Sequence, residues 1–246
     1  MMKLDNVDKK LLNLVQVEFP LNREPFRDLG LQLGTSSNEV LYHIERLKAA
    51  GIIRQIGPVF DAKRIGYQTT LVGMWVEPAK LPYAAQVIKV HPGVSHGYER
   101  GHDFNFWFAL TMPDGADMES ELQRLGTEIE AKAILNLPAL RVFKIGAFFD
   151  LVGDNWFMPD TNSNCATASH KDSNLSLEDR AVINELQQDL PLTEKPFEPM
   201  AARLTMDVND FLNRCQFLKQ RGIMRRFSAS VRHGSLGFAA NAMACW

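Results

Sequence analysis

Apolar residues recur at a helical period three times near the N-terminus. Val7, Leu11, Leu14 and Val15 share one face of a first helix that Asp5 or Asn6 is placed to cap. Pro20 ends the turn that follows. Pro25 suits the first position of a second helix, with Phe26, Leu29 and Leu33 inward, and Gly34 breaks it. Ser36 or Ser37 caps a third helix whose inward residues are Val40, Leu41, Ile44 and Leu47, and Gly51 is its stop. The run 52–60, IIRQIGPVF, then predicts a β-hairpin or wing. Three helices and a wing outline a winged helix-turn-helix.

Beyond this point the pattern changes. TTLVGMWVEP predicts a strand, and AKLPYAAQVIKV predicts a helix with Pro82 near its start. VSHGYER and FNFWFALTM read as two strands joined at Gly101–Asp103. ADMESELQRLGTEIEAKAIL reads as one long amphipathic helix, and LRVFKIGAFFDL as a final strand. The predicted order is βαββαβ, a ferredoxin-like sandwich, so the fold class is α+β.

The chain also repeats itself. At a fixed offset of 171, residues 4–75 align without a gap on residues 175–246, and eighteen of the 72 paired positions are identical. They include Asp8/Asp179, Pro25/Pro196, Gly51/Gly222, Arg54/Arg225 and Trp75/Trp246. An ungapped match of that length implies duplication. The predicted organisation is a winged helix-turn-helix over 1–66, a ferredoxin-like domain over 67–153 and a polar linker over 154–174. A second winged helix-turn-helix follows over 175–237, and then the first strand of a second ferredoxin-like domain over 238–246. The second copy stops inside an apolar run, so the counterpart of residues 76–150 is expected to be missing and the chain to be truncated.

Composition narrows the function. The formal net charge is −2 and the pI about 6.3, so whole-chain attraction to nucleic acid is weak. The first copy's recognition helix offers His43, Arg46 and Lys48 but also Glu39 and Glu45, a poor footprint for DNA. The second copy is more basic, with Arg214, Lys219, Arg221, Arg225, Arg226 and Arg232. Three well-separated cysteines, Cys165, Cys215 and Cys245, fit a reducing compartment. No run approaches a membrane span and no secretory pattern opens the chain, so a cytoplasmic location is expected.

The chemistry concentrates in residues 94–110, VSHGYERGHDFNFWFAL. Strand alternation puts His96, Tyr98 and Arg100 on one face and Ser95, Gly97 and Glu99 on the other. Imidazole, phenol and guanidinium make a poor packing surface and a good anion site, since Arg forks onto carboxylates and His exchanges protons near neutral pH. This run resembles the siroheme decarboxylases, whose motif reads Val, Ser or Thr, His-x-Tyr-x-Arg-x-His-Asp, Tyr or Phe, Asn-x-Trp-Phe. Here it spans Val94–Phe108. The wings and the duplicated layout resemble the fused, two-subunit form of that family in haem d1 biosynthesis, an Lrp/AsnC-like group whose second domain pairs into dimers.

The resemblance implies removal of siroheme acetate groups as CO₂, giving 12,18-didecarboxysiroheme. It implies a tetrapyrrole substrate that carries its own iron, with no separate cofactor. A homodimer or pseudo-heterodimer through ferredoxin-like domains is expected, without DNA or membrane binding. His96 is implied as axial iron ligand or proton donor, His102 as a second acid or iron contact, and Tyr98 as a hydrogen-bond donor. Arg100, with Arg54, Arg225 and Arg226 from the wings, would clamp carboxylates, and Trp107 and His233 would contact the substrate. The rival readings are an Lrp/AsnC-type DNA-binding regulator and a non-catalytic haem sensor or carrier.

Overall fold

The computed structural model describes residues 2–139, 148–152 and 175–236. In chain order the elements are α1 (Asn6–Val17), α2 (Pro25–Leu33), α3 (Ser37–Ala49), β1 (Ile53–Phe60), β2 (Tyr67–Trp75), α4 (Leu81–Lys89), β3 (Val94–Glu99) and β4 (Phe106–Pro113). They continue with α5 (Met118–Ile129), β5 (Ala133–Pro138), α6 (Leu177–Leu186), α7 (Phe197–Arg203), α8 (Val208–Gln220) and β6 (Met224–Val231). Contacts divide them into two units. One holds both winged helix-turn-helix copies and the other holds the sheet domain.

In the first unit the local signals act as the sequence predicts. Asp5 caps α1 through a capping box with Asp8, and Ser176 with Asp179 does the same for α6. Gly34 ends α2 in the left-handed region, at φ 71°. The buried Asp8 receives His43 Nδ1 at 2.7 Å and Arg46 Nη2 at 2.5 Å. Asp179 receives Arg214 Nη1 at 2.8 Å, from the position that His43 holds in the first copy. A carboxylate buried at this helix junction demands a cation, and each copy supplies one from its third helix.

The wings are not hairpins. β1 pairs antiparallel with β6, and Gly57 lies opposite its own repeat counterpart, Ser228. Ile56 faces Ala229 and Pro58 faces Phe227, so the pairing is symmetric about that point. The flanking bonds are symmetric too: Asp61 N donates to Ile223 O at 2.8 Å, and Arg232 N to the equivalent Ile52 O at 2.9 Å. The ion pairs Lys48–Asp189 and Lys219–Glu18 are likewise equivalents. The two copies therefore meet as an isologous pseudo-dimer within one chain. Their cores merge, because Phe227 packs 6.1 Å from Phe19 of the first copy and 5.9 Å from Phe197 of the second. A domain of about 60 residues buries a modest core alone, and fusing two removes a large apolar surface from each.

The second unit is a four-stranded antiparallel sheet in the order β3-β4-β2-β5, with α4 and α5 against one face. Val72, Met74, Phe106, Phe108, Leu110, Ile88, Leu122, Leu125 and Ile129 fill the layer between. Here the predicted boundaries need correction. The long helix expected over 116–135 stops at Ile129, where Glu130 turns left-handed at φ 56° and Ala131 N bonds Gly126 O. Residues 133–138 then form β5 against β2. The strand predicted over 140–151 falls partly on 140–147, outside the described residues. Residues 148–152, expected at the end of the sheet domain, form no strand and lie on α1 instead. The predicted strand over 238–246 and the predicted linker also fall outside the described residues. No helix among the described residues is long and apolar enough to cross a membrane.

Candidate functional site

Among the described residues the motif lies at one edge of the sheet, on the strand pair β3–β4. Tyr98 lies opposite Trp107 and Gly97 opposite Phe108. Opposed residues share a face, so Phe106, Phe108 and Gly97 meet α4 and α5 while Tyr98 and Trp107 lie on the face away from those helices. The predicted alternation holds: the rings of His96 and Tyr98 stack at 6.2 Å and 20°, and the Arg100 guanidinium sits 4.9 Å over the Tyr98 ring. The result is a ladder of imidazole, phenol and guanidinium along an exposed strand. The Nε of Arg100 is buried and lacks a hydrogen-bond partner among the described residues.

Backbone bonds hold the ladder's lower end. Arg100 N donates to Asn105 O at 2.8 Å, and the Asn105 amide grips both backbone groups of Val76, at 3.0 and 2.7 Å. His102 sits in the intervening turn, where its Nδ1 accepts from Phe104 N at 3.3 Å. That bond makes Nε2 the protonated nitrogen of the neutral ring. Ser95 Oγ lies 2.6 Å from His96 Nδ1, so the hydroxyl's orientation selects the tautomer of His96. Trp107 donates Nε1–H to Phe104 O at 2.6 Å and lies flat across Gly73.

On the helix side of β3 lies a groove of about 640 Å³ lined by Pro78, Leu81, Ile88, Ser95, His96 and Phe106, among others. His96 is common to the groove and the ladder. Sequence reading did not find the groove; its one signal was the apolar face of the helix containing Pro82. His91, outside the ladder, bridges Gly93 N and Glu121 Oε1 at 3.0 Å each.

The remaining candidates belong to the other unit. Arg225 pairs with the buried Asp61 at 2.7 Å. The repeat counterpart of Asp61 is Arg232, so the exposed Arg54 has a cation, not an acid, at the equivalent place. Arg226 is half-buried, and burial lowers its pKa below the usual guanidinium value. The side chain of His233 lies outside the description. Asp5, Asp8 and His43 cluster closely enough for a metal, but Arg46 already lies 2.5 Å from Asp8 and 3.3 Å from His43. A guanidinium there satisfies the carboxylates directly.

The same contacts bear on DNA. His43 is buried, Arg46 is held by Asp5 and Asp8, and Lys48 by Asp189. In the second copy Arg214 and Lys219 are held by Asp179 and Glu18. The cations of both third helices are spent inside the unit, and both wings are spent on each other.

A winged helix-turn-helix pair with a sheet domain of this kind defines the AsnC-like class. The siroheme decarboxylase NirDL-like HTH domain matches residues 8–54 and 179–225, and the AsnC-like ligand binding domain matches residues 64–144. The siroheme decarboxylase of Hydrogenobacter thermophilus is 36% identical over 99% of this chain and 72% of its own length. The siroheme decarboxylase NirDL subunit of Paracoccus denitrificans is 31% identical over 100% of this chain and 73% of its own. The crystal structure of NirDL in complex with an iron-uroporphyrin III analogue superposes with a TM-score of 0.65 at 31% identity. That match covers 92% of this chain and 66% of the solved one, so the chain spans just under two thirds of that relative. The chain belongs to the siroheme decarboxylase family.

Proposed function

We propose that this chain carries out siroheme decarboxylation in haem d1 biosynthesis, removing acetate side chains as CO₂ to give 12,18-didecarboxysiroheme. The observation that carries this reading is the His96–Tyr98–Arg100 ladder, set on the sheet face away from α4 and α5 in a chain of this family. A flat macrocycle bearing carboxylates needs an aromatic surface and a guanidinium, and the ladder presents both. Each acetate loses its carboxylate carbon as CO₂, the bonding electrons pass into the macrocycle, and one proton completes the methyl group. The macrocycle is its own electron sink, so no separate cofactor is required, and the iron belongs to the substrate.

Arg100 clamps a carboxylate and Tyr98 donates a hydrogen bond. His102, with its Nε2 protonated, is a proton source. His96 has two roles open to it. With the Ser95 hydroxyl donating to Nδ1, Nε2 carries the proton for delivery; with Nδ1 donating to Ser95, Nε2 presents a lone pair to the substrate iron. Trp107 supplies flat surface. The protein works in the cytoplasm as a homodimer or pseudo-heterodimer through its sheet domains, and relatives named as subunits support an assembly.

The test is anaerobic incubation with siroheme, followed by product mass. Loss of one or two CO₂ masses is expected, with turnover cut by His96→Ala, His102→Ala and Arg100→Ala. Tight binding at unchanged mass would instead make the chain a carrier.

A further inference from the structure

The motif also contains Asn105, whose half-buried side chain bonds the end of β2 rather than the ladder. β2 and β4 pair in a constant register, with Gly73 opposite Trp107 and Met74 opposite Phe106. Continued by two residues, that register would set Phe104 opposite Val76. The ladder ends instead at Phe106, because residues 100–105 form the turn from β3. Val76 is 0% exposed at this point, so its N–H and C=O need partners. Asn105 supplies both: Oδ1 accepts from Val76 N at 3.0 Å, and Nδ2 donates to Val76 O at 2.7 Å. A side-chain amide carries the same donor and acceptor as a peptide group, so it stands in for the missing strand residue. A carboxylate there would lack the donor, and alanine would lack both groups.

The clasp also fixes the turn. Asn105 O accepts from Arg100 N at 2.8 Å, and Arg100 O accepts from His102 N at 3.0 Å. The neighbouring Phe104 donates its N–H to His102 Nδ1 at 3.3 Å. Residues 101–103 are exposed, so packing does little to hold them. Arg100 and His102 are each bonded to residue 104 or 105, and residue 105 is bonded to the buried end of β2.

We propose that Asn105 is a positioning residue: its amide, anchored on Val76, sets where the turn presents Arg100 and His102 to the substrate. This rests on the roles of those two side chains in siroheme decarboxylation, whereas the clasp itself is measured without substrate.

The experiment compares the full chain with N105A and N105D, first by amide hydrogen exchange. N105A removes both bonds to Val76; N105D keeps an acceptor for Val76 N and is the milder variant. Exchange at Val76 and Arg100 in N105A is expected to quicken by about tenfold relative to Thr111, whose N–H bonds Gly93 O at 2.9 Å in the same unit. Siroheme affinity, followed by absorption, is expected to fall by about tenfold in both variants. In an R100A/H102A background the same substitutions should change it by less than about twofold, because the side chains through which Asn105 acts are gone. Undiminished losses in that background overturn the proposal, since a general loosening of the fold does not depend on Arg100 and His102. Equal acceleration at Thr111 in both variants overturns it for the same reason, as does wild-type exchange or wild-type affinity in both. A wild-type chain that neither binds nor decarboxylates siroheme overturns the proposed function and the role of Asn105 with it. Wild-type turnover with undiminished losses in the R100A/H102A background overturns the role of Asn105 alone.

Discussion

Gly73→Ala tests whether the ladder depends on the plane behind it. A Cβ on Gly73 would lie 2.9, 3.0 and 3.1 Å from Cη2, Cζ3 and Cζ2 of Trp107. Carbon atoms pack at about 3.5–4.0 Å, so the indole must move by roughly 0.5–1 Å. It cannot slide freely, because Nε1–H is bonded to Phe104 O at 2.6 Å and Tyr98 lies opposite on β3. Overpacking of this kind costs about 1–3 kcal/mol. Breaking the indole bond would add about 1 kcal/mol. In the sheet unit, residues 62–145, each kcal/mol corresponds to a fall of roughly 4–8 °C in Tm. The assay is thermal unfolding with near-UV circular dichroism on Gly73→Ala, Trp107→Leu and the double variant. Leucine removes the atoms that clash, so the double variant should be more stable than the sum of the singles, with a coupling of about 1 kcal/mol or more. Siroheme affinity should fall in Gly73→Ala while the capping and wing contacts of the other unit are unchanged. An unaltered Tm, or additive singles, would refute the reasoning.

Three further outcomes follow from the other unit. Burial pushes the Asp179 carboxyl up, but the Ser176 backbone amide and the Arg214 guanidinium outweigh it and hold the group below the usual carboxylate range. Its stabilisation is therefore full above the unfolded value of about 3.9 and lost as pH falls through the lower folded value, so the stability gap between wild type and Asp179→Asn should close across that acid window in chemical denaturation. Thr205 holds the place of Gly34 in the second copy and is forced to φ 53°; Thr205→Gly should stabilise the protein by about 1 kcal/mol in urea melts. Burial pushes the Cys215 thiol up to about 12, so in a C165S/C245S background an aromatic disulfide should label it only in denaturant, and labelling of the native protein would contradict its placement.

Much of this was legible from residue order. The caps at Asp5 and Ser36, the stops at Gly34 and Gly51 and the side on which His96, Tyr98 and Arg100 fall are local consequences of backbone periods and dihedral limits. The strand 133–138 was not legible, because Ala131 and Lys132 continue a helical composition. Its fate was decided by β2, whose Trp75 O accepts from Lys132 N. The flat seat of Trp107 on Gly73 and the groove beside His96 depend on strand register and helix placement, which no local window contains.

The repeat shows the division most plainly. Residue order alone established that the chain is duplicated, that its helices are capped as they are, and which residues crowd the β3 edge. It could not say that the two wings pair with each other, nor that the cations of α3 and α8 are consumed by Asp8, Asp179, Glu18 and Asp189. Asn13 and Asn184 are the same residue at the same repeat position, yet one is buried and the other exposed. Side-chain identity sets what a group is able to bond; only the tertiary structure brings the partner that it bonds.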